Sequence, residues 1–406
     1  MTLARGRGLR MIPGPSVVPE RVLNAMHRAA PNIYEGELIE MVETVRADLC
    51  RVARTAGAVA IYIGNGHAAW EAVVANLLAP GDLALVLATG RFALGWAETA
   101  RKAGVETEVL NFGFRAGVDI GRLEARLRED RAGRIRAVLV VQTDTASSVR
   151  NDVPAIRAAI DAAGHPALLA VDCIASLGCE PFEMDAWGVD VMVAASQKGL
   201  MTPPGVAFTF HGPKAEAARV PARSATWDWE PRIRPQQFYQ LFAGTAPTHH
   251  IFGLRAALTM LLDEEGLEAA WERHAVLAGA LWAAVEAWGR GGAVELNIAE
   301  RQARSHAVTT IRTEPGAAAA LRRWCEAEAG LTLGIGLVAP GTDERAIFRI
   351  GHMGHVDPPM LLGTLATVEA GMKAVGIAHG EGALSAAAAA IAKARPVARE
   401  PAAAVG

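Results

Sequence analysis

The chain has 406 residues, 51% hydrophobic and 20% charged, which is too apolar for a disordered protein and long enough for two or three domains of roughly 100–200 residues each. Forty Lys and Arg stand against 43 Asp and Glu, so the net charge is −3 and gives no electrostatic case for nucleic acid or an acidic membrane as partner. Cys50, Cys173, Cys179 and Cys325 lack zinc or disulfide spacing, no apolar run approaches the roughly 18 residues of a membrane span, and the basic start has no apolar stretch after it. Reduced thiols in a cytoplasmic protein without a signal peptide are expected.

Between residues 59 and 210 the sequence alternates short apolar runs with helical patterns. The runs are 59–63, 84–88, 137–141, 167–171, 190–195 and 206–210. Their continuous apolarity predicts strands covered on both faces. Trp70, Val73, Val74, Leu77 and Leu78 recur at helical spacing until Pro80-Gly81. Strands alternating with helices predict an α/β domain with a mostly parallel sheet. From about residue 263, helical stretches at 267–288 and 317–329 mix with strand-like runs at 307–311 and 346–350, which predicts a smaller α+β domain. The expected division is an N-terminal arm over 1–20, a large domain over 21–263, a small domain over 264–395 and a frayed tail over 396–406.

Gly64-Asn65-Gly66-His67-Ala68-Ala69 follows a predicted strand and opens a helix. It fits a dinucleotide fingerprint, a cradle for a simpler phosphate, or a tight turn with no ligand. The dinucleotide form wants an acidic residue at the end of the next strand, but Asp82 precedes it in Pro80-Gly81-Asp82, so a simple phosphate is favoured. Asp172 ends an apolar run, where it could hold a protonated ring nitrogen or merely cap the next segment. Lys198 follows another run in Ser196-Gln197-Lys198-Gly199, a setting better suited to an imine with a carbonyl compound such as pyridoxal phosphate (PLP) than to a surface lysine. Arg349, within Phe348-Arg349-Ile350-Gly351-His352-Met353-Gly354, could grip a carboxylate through two hydrogen bonds or sit in a structural ion pair. His249-His250 and His352–His355 lack a completing ligand pattern, so no metal is expected. Trp227 and Trp229 read as core or interface before pocket.

Together these residues resemble class V aminotransferases of the PLP-dependent fold-type I superfamily, and within it the alanine–glyoxylate and serine–glyoxylate aminotransferase family. The likeness runs from Ile12 to about Gly376 and includes Ile12-Pro13-Gly14-Pro15-Ser16, Pro203-Pro204-Gly205 and Gly244-Thr245-Ala246-Pro247. The resemblance implies that Lys198 carries the Schiff-base link and moves the proton, and that Asp172 pairs with the pyridine nitrogen. Phe92 would stack on the ring, with Thr145 and Ile174 beside it. Gly66, His67 and Gln197 would hold the phosphate, and Thr245 would reach the phosphate of a neighbouring subunit in a homodimer with shared sites. Arg349, Gly14 and Ser16 would meet the substrate.

Three departures from the family stand out: Asn65 where Ser or Thr is common, Gln142–Ser148 in place of an E-[ST]-S-T-G pattern, and Phe242 where a hydroxyl-bearing aromatic is frequent. The implied reaction moves an amino group from a small amino acid, of alanine or serine type, to a 2-oxo acid such as glyoxylate or pyruvate. Alternatives are a pyridoxamine–pyruvate type transaminase, a PLP lyase of the same fold, a binding protein without turnover, and a dehydrogenase.

Overall fold

The computed structural model describes residues 2–339 and 341–394, so the tail expected over 396–406 lies outside the described residues. Seven strands form the larger sheet in the order Ala58–Gly64, Gly205–His211, Val191–Ala195, Leu168–Asp172, Ile135–Val141, Leu83–Ala88, Glu106–Asn111. All run parallel except Gly205–His211, which is antiparallel to both neighbours. Period-two alternation divides their side chains between two cores. Val59, Ile61, Leu85, Leu87, Val138 and Val140 face the helices Glu37–Ala53, Ile120–Glu129, Val153–Ala162 and Thr248–Leu258. Ala60, Tyr62, Val86, Leu139 and Val193 face Gly66–Leu77 and Arg91–Lys102.

All six predicted runs are strands. The seventh, Glu106–Asn111, went unread because its charges break the apolar pattern. It is an edge strand with a single neighbour, and Glu106 and Glu108 are paired with Arg134 and Arg126. Charged side chains are a usual way to keep such an edge from pairing with other chains. The antiparallel strand also has a simple cause. Only residues 196–204 separate Val191–Ala195 from Gly205–His211, and a parallel return needs a dozen or more residues. Trp229 is fully buried with its ring 3.9 Å from that of His211, which bears out the core reading for that residue.

The second sheet has the order Leu9–Met11, Leu331–Ile335, Ile347–Gly351, Val308–Arg312, Glu295–Leu296. Helices Leu267–Gly289, Ala317–Ala329, Pro358–Val375 and Ala383–Ala392 supply its core. Three of its strands are too short, or too interrupted by glycine, to show in sequence. One of them, Leu9–Met11, lies in the segment expected to be an arm and pairs parallel with Leu331–Leu333.

Loop 142–151 joins the two sheets. Asn297 Nδ2 donates to Phe114 O at 2.6 Å and Ser147 O at 2.9 Å, and Thr310 Oγ1 donates to Ala146 O at 3.2 Å. Ser148, where the family pattern has Gly, sits at φ 62°, a region that disfavours a β-carbon. Its Oγ offsets this by accepting from Thr310 N, and its N–H donates to Asp144 O. Fully buried Glu180 completes the joint: Oε1 accepts from Thr143 Oγ1, Ser305 Oγ and His306 N.

Replacing Glu180 with Ala strands three buried donors across this joint. The expected cost is about 3 kcal/mol in urea unfolding, since each unsatisfied buried polar group costs about 1–3 kcal/mol. Glu180→Gln, which keeps an acceptor oxygen, should lose clearly less. Equal losses in the two variants would contradict this account of the joint.

Candidate active site

Ile135–Val141, Leu168–Asp172 and Val191–Ala195 are adjacent and parallel, so their carboxyl ends open together, where ligands of open α/β sheets bind. Asp172 ends the middle strand, and the segments after the other two carry Asp144 and Thr145, and Gln197 and Lys198. Across from them stand the N-termini of Gly66–Leu77 and Arg91–Lys102.

Asp172 is 2% exposed and pairs in register with Val193. Its Oδ1 accepts from Ile174 N at 2.7 Å and its Oδ2 from Trp70 Nε1 at 2.8 Å. Burial pushes its carboxyl up to about 7; the two donors pull the other way. Lys198 has the opposite perturbation from the same cause. Burial, with Arg349 adding to it, brings the amine down to about 8, so about a tenth of it is the free base at pH 7, far more than for an ordinary lysine.

The N-terminal segment closes over the lysine. Lys198 Nζ donates to Pro13 O, Ser16 Oγ donates to Lys198 O at 2.7 Å, and Ser16 N donates to Gln197 O at 2.9 Å. Gly14, at φ 95°, passes so near that a Cβ there would collide with the lysine side chain. Gly14 and Ser16, expected at the substrate side, are thus brought directly to Lys198.

At the glycine turn, Asn65 caps the helix: its Oδ1 accepts from His67 N at 3.0 Å. Gly66 is buried against Ile174, and a Cβ there would strike Ile174 Cδ1. The His67 ring is exposed and lies 4.5 Å from the Trp70 ring. Gln197 leaves Oε1 buried without a partner, and a half-turn of the carboxamide would present N–H to the same space. This donor set fits PLP: a primary amine, a buried carboxylate, a helix N-terminus for phosphate and an unsatisfied carboxamide. Gly66, His67 and Gln197 would hold the phosphate, and Asp172 the ring nitrogen.

Phe92 is half-buried, edge-on to Trp70 at 6.4 Å, and its N–H donates to Asp144 Oδ2 at 2.8 Å. Asp144 also accepts from Ala93 N and Ala146 N, and burial raises its carboxyl to about 6. Arg349 enters from the second sheet. Its Nε donates to Ile335 O and its Nη1 to Thr145 O, both at 2.7 Å, and neither bond uses Nη2. It is 6% exposed, and burial lowers it to about 10, so it stays charged near neutral pH. Thr245 is exposed ahead of the helix Thr248–Leu258 and makes no hydrogen bond to these residues within the single chain.

Sequence reasoning missed Trp70 and Asp144. Trp70 read as a core position of its helix, though one turn beyond Gly66 is close enough to meet the strand-end carboxylate. Asp144 lies just past one strand end and Asp172 at the next, and that shared neighbourhood was the available signal.

Both carboxyls have folded values above the ordinary 3.8. Their contribution to the stability of the cofactor-free protein is therefore fully present below about pH 4 and lost as pH rises through 6 and 7. Urea unfolding is expected to show stability falling over that window, and Asp172→Asn should make the fall shallower. Parallel curves for the two proteins would contradict the burial account.

The sequence matches the family Aminotransferase class-V over residues 14–337. It is 33% identical over 377 residues to serine–glyoxylate aminotransferase of Arabidopsis thaliana, covering 91% of this chain and 92% of that one. To L-aspartate–glyoxylate aminotransferase of Paracoccus denitrificans it is 34% identical over 369 residues, covering 90% and 91%. The fold superposes on the crystal structure of pyridoxamine–pyruvate aminotransferase from Mesorhizobium loti with TM-score 0.86 and 27% identity, covering 97% of this chain and 99% of that one. With the parallel sheet, the strand-end Asp172 and the enclosed Lys198 already in place, these matches establish that the chain belongs to the class-V aminotransferases.

Proposed function

We propose that this aminotransferase uses PLP to move an amino group from a small amino acid, of alanine or serine type, to a small 2-oxo acid such as glyoxylate or pyruvate. One observation carries this: a lysine lowered to about 8 and a buried carboxyl leave neighbouring strand ends beside a buried arginine whose bonds to the described residues leave Nη2 unused. Bound PLP would supply the aldehyde that carries the amino group and a ring that delocalises the electrons left when a proton leaves Cα.

The chain's own residues supply the rest. Lys198 Nζ, as free base, would take the proton from substrate Cα and give it back on the far side of the amino nitrogen, at the cofactor's aldehyde carbon. Pro13 O gives the amine a fixed acceptor between those two jobs. Asp172, held by Ile174 N and Trp70 Nε1, keeps a negative charge where a ring nitrogen would keep its proton. Arg349 binds the carboxylate shared by amino acid and 2-oxo acid, which sets the direction of the Cα–H bond. Thr145 and Ile335, through their carbonyls, aim that guanidinium. A homodimer, in which Thr245 of each copy reaches the other's phosphate cup, belongs to the same proposal.

A second reading, with pyridoxamine itself as amino donor, is favoured by the occupied turn. Asn65 Oδ1 already takes the His67 N–H that an anion would use, and Gln197 Oε1 is buried without a partner, an acceptor that would suit a neutral hydroxymethyl. Product analysis separates the two: alanine, serine and aspartate are each assayed with glyoxylate, and pyridoxamine with pyruvate.

Lys198→Ala is expected to fold and to lose turnover by several orders of magnitude. In the wild-type protein, borohydride followed by peptide mapping should place a pyridoxyl tag on Lys198. A tag elsewhere, or wild-type turnover by the variant, would remove Lys198 from the mechanism. Arg349→Ala should raise KM for the amino acid and the 2-oxo acid together by about 100-fold, in line with a charged hydrogen bond of roughly 1.5–3 kcal/mol. Unchanged constants for every substrate would dismiss the clamp.

A further inference from the structure

The carboxylate at the centre of the site is not free to choose its orientation. Asp172 Oδ1 takes the N–H of Ile174, two residues on, and Oδ2 takes the indole N–H of Trp70 from another element. Trp70 is 1% exposed and Asp172 2%, so water does not compete for this bond.

The indole plane is itself fixed. Trp96 lies parallel to it, with centroids 6.0 Å apart and an interplanar angle of 13°. The His67 ring lies at 4.5 Å and Phe92 meets it edge-on at 6.4 Å. Gly95 leaves only the space the ring needs, since a Cβ there would come within 3.3 Å of Trp70 Cζ3. An N–H on a ring held this way has one direction. Trp70 also belongs to the helix that opens at Gly66, so the bond ties the glycine turn to the strand-end carboxylate.

We propose that Trp70 is a positioning residue for Asp172: its indole N–H fixes the carboxylate plane and favours the ionised form, leaving the remaining lone pairs aimed at a ring nitrogen in the crevice. An ionised carboxylate accepts about four hydrogen bonds, and the two fixed donors define its plane. Without the indole N–H, Oδ2 is a buried oxygen with no donor, and the group relieves this by taking a proton. The charged and titratable neighbours are Asp144, which opposes ionisation, Lys198, which favours it, and Cys173, the next residue in the chain. None of them takes the place of the indole: Lys198 Nζ donates to Pro13 O and Cys173 Sγ to Gln142 Oε1, and Asp144 is itself an acceptor.

The role rests on the reading that Asp172 meets the pyridine nitrogen of PLP, but the bond can be tested without it. Trp70→Phe keeps a ring against Trp96 and removes the donor. In infrared titration of the full chain without cofactor, with Asp172→Asn subtracted, the midpoint for Asp172 should move up by about one pH unit, a tenfold change in proton affinity. The PLP dissociation constant, by equilibrium dialysis, should rise about tenfold, and the acid limb of kcat/KM should move up with the midpoint. Trp96→Phe, which alters the stack and keeps the donor, should leave the midpoint in place.

A folded Trp70→Phe protein with an unmoved midpoint overturns the proposal, even if PLP is bound at Lys198. A moved midpoint in a protein that does not bind PLP upholds the bond and rejects the cofactor reading instead. Should Trp70→Phe fail to fold, the wild type still decides. Among its nine indole N–H signals in nitrogen-15 spectra, one should track the Asp172 titration and lose that dependence in Asp172→Asn. If none does, the proposal fails.

Discussion

A carboxyl group placed where water does not reach is the constraint on which the rest depends. Asp172 ends a strand buried on both sides, and burial alone would protonate it. The structure answers with two fixed donors and a lysine nearby, and each comes from a different part of the chain. The helix after the first large-sheet strand supplies Trp70, the backbone just beyond Asp172 supplies Ile174, and the loop before the antiparallel strand supplies Lys198. The fold is the means of bringing these three to one point.

Much of this arrangement was legible in the sequence. Apolar runs covered on both faces announce themselves as strands, and residues at their ends inherit a predictable place. That is why Asp172, Lys198 and the Gly66 turn could be named together. Loop 142–151 was harder. Its residues are polar because they bond across to the second sheet, and a sequence does not show which polar residues will be buried in one another's company. Glu180 is the extreme case: fully buried, its Oε1 accepts only from distant segments, two of the donors lying just ahead of the strand Val308–Arg312. Edge strand Glu106–Asn111 and the short strands Leu9–Met11 and Leu331–Ile335 were missed for a related reason. Their place is set by neighbours, and their own periodicity is weak.

Arg349 shows how the two sheets divide the work. The large sheet carries Asp172 and Lys198, and the second sheet contributes the buried cation Arg349, which the proposed function assigns to a substrate carboxylate. Thr145 O joins them, since the carbonyl that aims the guanidinium belongs to the loop carrying Asp144. Movement of the second sheet relative to the first would therefore disturb Arg349 and, through Pro13, the lysine as well.

The strand Leu9–Met11 has a consequence for how the molecule is made. Its partner is Leu331–Leu333, and the following residues run so close to Gly351 that a Cβ there would meet Ile12 O. Pro13 and Gly14, which enclose the lysine, are held by a part of the chain synthesised more than three hundred residues later. A nascent chain can complete the strands of the large sheet before residues 331–351 exist, so the hold on Pro13 and Gly14 over Lys198 is made after them.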